Sequence, residues 1–102
     1  MSWAKLREFL IAYFGDQSIE EGVAEVVFVT ATNPDYHRDY LATIDEAIAG
    51  AAAGDPGVGA AIEDSFAAEA RDPAEARAYL EALRAEYLRQ YEARSSSRAE
   101  GA

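Results

Sequence analysis

The sequence contains no cysteine and a single histidine, His37. The missing cysteine excludes disulfides, thiol catalysis and cysteine metal sites, and it is typical of a reducing compartment. No apolar run approaches the ~20 residues of a membrane span. The N-terminal stretch MSWAKLREFLIAYF also lacks a small-residue cleavage site. We therefore expect a cytoplasmic protein that does not associate with membranes.

Basic residues are scarce over most of the chain. Residues 8–70 contain one base, Arg38, against thirteen acids, a formal charge of −12, whereas residues 71–102 contain six of each sign. A field of this size favours cationic partners and argues against binding to nucleic acid or anionic membrane. The alternative is that the acids only keep the protein soluble.

Hydrophobic periodicity predicts an all-α fold, a compact single-domain bundle of about five helices. The 102 residues suffice for one modest core. Ser18 and Glu21 form a capping-box pattern that opens the second helix at Ile19. That helix continues through VVFVT at 26–30, where propensity alone would favour a strand but the valines fall on one helical face.

Proline and glycine mark the remaining helices. Asn33-Pro34 and Gly50 bound a third helix at about 34–49, in which Tyr36 is predicted to face inward. Asp55-Pro56 opens a fourth helix with Val58, Ile62 and Phe66 on its inner side. Asp72-Pro73 precedes the longest helix, at about 73–94. We expect a helical domain at 1–94 and a disordered tail at 95–102.

The candidate catalytic groups do not converge. Asp35 and Asp39 share a helix face, but His37 is rotated away from both by about 160–200°. This geometry argues against a metal site and favours a partly exposed surface histidine. The carboxylates fall on predicted outer faces or in connectors, whereas acid–base catalysis needs one of them buried. We therefore expect no enzyme activity, no metal and no cofactor.

Two acidic faces suggest a binding site. On the second helix, Phe28 is an apolar ring beside two acids, and on the third helix three acids form a stripe opposite the core. An aromatic with a charged rim is typical of a small protein interface. The alternative is that Phe28 packs under the loop at 31–35. The predicted partner-binding residues are Glu21, Glu25, Phe28, Asp35, Asp39 and Glu46.

The chain resembles the all-helical immunity proteins of bacterial contact-dependent growth inhibition systems. The resemblance is carried by LREFLIAYFGD at 6–16, YLATIDEAIAG at 40–50 and ARAYLEALRAEYLRQY at 76–91. It implies a cytoplasmic protein that binds the C-terminal domain of a cognate toxin and blocks it. We expect the protein to be monomeric when free. Many such toxins are nucleases with basic clefts for phosphate, which fits an acidic inhibitor. The alternative is an acidic helical adaptor or antitoxin-like regulator of another basic protein.

Overall fold

A computed structural model describes residues 3–101, with side chains described for residues 3–94. Helices are the only regular secondary structure in this part of the chain, which confirms the predicted all-α bundle. The helices are α1 (Ala4–Tyr13), α2 (Ile19–Thr30), α3 (Pro34–Ala52), α4 (Pro56–Asp64) and α5 (Pro73–Gly101). VVFVT lies inside α2, as predicted.

Local caps explain where the helices begin. The Ser18 hydroxyl accepts from the Glu21 N–H at 3.1 Å, and the Glu21 carboxylate accepts from the Ser18 N–H at 3.3 Å. Asn33 caps α3 through the Tyr36 N–H, and Asp72 caps α5 through the Glu75 N–H. Each cap satisfies a backbone donor that the first helical turn leaves free.

The core is built around α5, which packs against α2, α3 and α4. Nine of the fully or almost fully buried side chains are Leu6, Leu10, Phe14, Val23, Ile44, Ile62, Leu80, Leu83 and Tyr87. α1 closes the assembly against α2, α3 and α4. This arrangement leaves one long side of α3 against α5 and the other toward α1 and α2.

Gly50 does not end α3 as the sequence predicted, because the helix continues to Ala52. A Cβ on Gly50 would lie 2.5 Å from the Trp3 ring, and a Cβ on Gly57 would lie 2.7 Å from it. The two glycines thus make room for the indole. The Trp3 indole N–H donates to Asp55 at 2.9 Å. Hydrogen bonds from the Gly57 N–H and from this indole lower the pKa of Asp55.

Two side chains predicted to be in the core are exposed. α4 ends at Asp64, and Phe66 follows with φ 59° and is 74% exposed. This left-handed residue turns the chain toward α5, and its carbonyl accepts from the Asp16 N–H at 3.0 Å. Tyr36, also predicted to face inward, is 56% exposed because it borders a groove between α1, α2 and α3.

The last helix extends beyond its predicted end at residue 94, to Gly101. Side chains from residue 95 onward lie outside the described residues. The disordered tail at 95–102 stays a prediction.

Candidate partner-binding face

The six predicted site residues define the α2–α3 face: Glu21, Glu25, Phe28, Asp35, Asp39 and Glu46. All six are exposed. Phe28 is 70% exposed, so it does not pack under the loop at 31–35, and that alternative is wrong. Glu21 and Glu25 lie on the same side of α2 as Phe28, within about 60° of it around the helix axis. The acid-bordered aromatic predicted for α2 is therefore present.

The Phe28 ring has one described cation above it. The guanidinium carbon of Arg94, on α5, lies 5.5 Å from the ring centroid. At an exposed site such a cation–π contact contributes only about 0.5–1 kcal/mol. The chain's own arginine thus occupies a position that a partner's arginine or lysine could take.

The acids of α3 are less free than the sequence suggested. Asp35 is paired with Arg38 one turn away, and Asp39 accepts from Lys5 Nζ at 2.6 Å. Lys5 belongs to α1, and a count of charges along the chain could not place it beside Asp39. Glu46 has no ion-pair partner among the described residues. Asp45, the fourth acid of α3, is paired with Arg84, so among the described residues Glu46 is the one acid of this helix without an ion-pair partner.

A groove lies between α1, α2 and α3, with a volume of about 280 Å³. Aromatic and aliphatic side chains make up most of its wall, and Lys5 and Asp39 supply its charges. Val29 and Tyr36 border it and are 36% and 56% exposed. The lining residues are Lys5, Phe9, Tyr13, Val26, Val29, Thr30, Tyr36, Asp39, Tyr40 and Thr43.

Tyr40 lies at the inner side of the groove and is only 6% exposed. Its ring packs edge-on to Phe9 at 4.2 Å between centroids and stacks on Tyr87 at 4.5 Å. The Tyr40 hydroxyl is buried and has no hydrogen-bond partner in the described structure. Burial, with smaller contributions from nearby tyrosines, raises the pKa of Tyr40. The hydroxyl is therefore neutral, and its donor is unused.

His37 is half-buried, which agrees with the predicted partly exposed histidine, but it faces α5 and contacts side chains there. Its ring stacks on Tyr91 at 3.9 Å between centroids, and its Nδ1 lies 2.6 Å from the Tyr87 hydroxyl. Burial, and secondarily the Arg38 charge, lowers the pKa of His37. Within the described residues, no cluster of three or more His, Cys, Asp or Glu side chains is arranged to hold a metal ion.

The groove is lined by one of the six predicted site residues. Asp39 lines the groove, whereas Phe28 does not and instead contacts Arg94 of α5. Val29 follows Phe28 and points about 100° away, toward the groove. Sequence reasoning missed Val29 and Tyr36 as surface residues because both have the character of core residues.

Comparisons with family models, characterised proteins and solved structures found no match. No helix in the described part of the chain is both long and apolar enough to cross a lipid bilayer.

Proposed function

We propose that this protein is an immunity-type inhibitor that binds a cationic toxin domain, most simply a nuclease, through the α2–α3 face. The observation that carries the proposal is Phe28, which is 70% exposed beside Glu21 and Glu25 within a segment of charge −12. An exposed phenylalanine adds little to the core but can anchor an interface once a partner covers it. The resemblance to immunity proteins supplies the class of partner.

Charge supports the same reading. Lys5, Arg38 and Arg94 each lie against a residue of the α2–α3 face. All of these contacts involve exposed groups, so each contributes little and can be exchanged. A basic partner would replace them without leaving a buried charge unpaired. The carboxylates would then act mainly on the rate of association.

The decisive experiment uses the gene immediately upstream. We expect this gene to encode a secreted effector with a toxic and basic C-terminal domain. Co-expression of the present chain should restore growth of cells that produce this domain, and the two proteins should form a stable complex. Absence of any toxic effector, together with tight binding to another basic protein, would favour the alternative of an acidic adaptor or antitoxin-like regulator.

Two matched pairs of variants locate the binding face. Phe28→Ala should quicken dissociation by about thirtyfold, since a buried interface aromatic contributes about 2 kcal/mol. Phe66→Ala is the control, because Phe66 is comparably exposed, at 74%, but lies outside this face.

The second comparison uses two double variants that change the net charge equally. One carries Glu25→Lys and Glu46→Lys on the α2–α3 face, and the control carries Asp64→Lys and Glu69→Lys outside it. The first should slow association by about tenfold and weaken its salt dependence. The second should have much less effect. Equal effects of the two double variants would mean that total charge matters and the α2–α3 face does not.

A further inference from the structure

We propose that the groove between α1, α2 and α3 receives one apolar or aromatic side chain of the partner, while a neighbouring lysine or arginine of the partner replaces Lys5 on Asp39. The partner's basic character rests on the proposed function, and the position and selectivity of the groove rest on its own geometry. Recognition would then run in both directions: Phe28 enters the partner, and the groove accepts a side chain from it.

The size of the groove favours a single side chain. Pockets for small-molecule ligands usually measure about 300–1,000 Å³, and this groove, at about 280 Å³, lies just below that range. Phe9 and Tyr13, which are half-buried, offer aromatic surface inside it, whereas Tyr40 is almost fully buried. Val29 and Tyr36 stand partly exposed at its border. An inserted side chain would cover the parts of these residues that the described chain leaves exposed.

The polar groups of the wall explain why the inserted side chain should be apolar. The Thr43 hydroxyl donates to the Asp39 carbonyl at 2.9 Å, and the Thr30 hydroxyl accepts from Tyr87 at 2.9 Å. Both threonines are therefore already engaged in hydrogen bonds, and the unpaired Tyr40 hydroxyl is buried rather than exposed at the wall. A polar side chain would lose water on entering and gain few partners, which costs free energy.

The Asp39 carboxylate explains why a base should stand beside the inserted side chain. The Lys5 and Asp39 side chains are 67% and 59% exposed, so their ion pair is weak and open to exchange. An arginine can bind the carboxylate through two parallel hydrogen bonds, which a lysine cannot. In the free protein, Lys5 thus occupies the position beside Asp39 that a lysine or arginine of the partner would take.

Three capped tripeptides test the groove on the full chain, labelled with ¹⁵N and followed by NMR. Acetyl-Arg-Phe-Arg-amide should shift the backbone amides of groove residues, with those of Val29, Tyr36 and Thr43 among the most affected. Acetyl-Arg-Ala-Arg-amide removes the anchor, and acetyl-Glu-Phe-Glu-amide reverses the charge. Each should bind at least about tenfold more weakly than the first peptide.

Variants assign the contacts. Lys5→Ala should tighten binding of the Arg-Phe-Arg peptide by about threefold, because it removes a competing cation. Asp39→Asn should weaken binding by about threefold or more, and Thr43→Phe, which fills the groove, should abolish it. Phe66→Ala, an exposed aromatic outside the α2–α3 face, should leave peptide affinity unchanged.

The outcomes separate this inference from the proposed function. Equal binding of the Phe and Ala peptides, shifts confined to residues outside the groove, or weaker binding by Lys5→Ala would overturn the groove assignment, even if a basic toxin binds through Phe28. Groove binding that follows the expected order would support the inference even if no toxin is recognised.

Discussion

The two long sides of α3 differ in how their polar groups are paired. On the side facing α5, His37 contacts the Tyr87 hydroxyl at 2.6 Å, and Asp45 accepts from Arg84 at 2.6 Å. On the groove side, Tyr36 is 56% exposed and Asp39 is paired only with an exposed lysine. The polar groups of α3 are thus paired with α5 along one side and largely exposed along the other.

The largest expected contrast between the two sides comes from removing an aromatic ring. Tyr87 is fully buried, so Tyr87→Ala should lower the free energy of unfolding by about 3–5 kcal/mol through the cavity it creates. Tyr36→Ala on the open side should change it by no more than about 0.5 kcal/mol. Urea unfolding at low temperature measures both. Comparable losses would mean that Tyr36 is part of the core and that the groove is not an open surface.

Removing single hydroxyl groups sharpens the contrast. The Tyr87 hydroxyl donates to Thr30 and contacts His37, so Tyr87→Phe should cost about 1–3 kcal/mol by leaving buried groups unpaired. The Tyr40 hydroxyl is buried without a partner, so Tyr40→Phe should leave stability unchanged or raise it by about 1 kcal/mol. Both changes keep the ring and its packing. A clear loss of stability in Tyr40→Phe would contradict this account, because it would require a partner for that hydroxyl.

The pH dependence of stability should come in part from the side facing α5. Burial and the Arg38 charge lower the pKa of His37 below its ordinary value of 6.5. The neutral form is therefore favoured in the folded state, and its contribution to stability is present above pH 6.5. That contribution is lost as the pH falls through the folded-state pKa. His37→Gln should reduce the loss of stability between pH 7 and pH 5, measured by thermal unfolding. An unchanged pH profile would show that other groups produce it.

The sequence predicted the helices because their start signals are local. Ser18 with Glu21, Asn33 with Pro34 and Asp72 with Pro73 each act within one turn, so no knowledge of the fold was needed. The helical conformation of VVFVT was also predictable, since its valines share one face that packs into the core.

The missed features depend on contacts between distant segments. Gly50 lies inside α3, and its missing side chain makes room for the Trp3 ring instead of ending the helix. Phe66 turns outward because it takes a left-handed conformation, which phenylalanine rarely adopts. Lys5 reaches Asp39 only once α1 lies beside α3. The exposure of Phe28 was predicted correctly from its own helix. The groove was not predicted, because it is lined by residues from three helices.

The smallest expected effect concerns the ion pairs on the two sides of α3. The Arg84 side chain is 38% exposed and that of Lys5 is 67% exposed, so the Arg84–Asp45 pair is screened less by water. Double-mutant cycles with alanine should give about 0.5–1 kcal/mol for Arg84–Asp45 and less than about 0.5 kcal/mol for Lys5–Asp39. The prediction is that the coupling energy of Arg84–Asp45 exceeds that of Lys5–Asp39. If Lys5–Asp39 proved the stronger pair, Asp39 would be committed to the fold. A lysine or arginine of the partner would then gain little by replacing Lys5. The proposal that the groove side of α3 binds a partner would be contradicted.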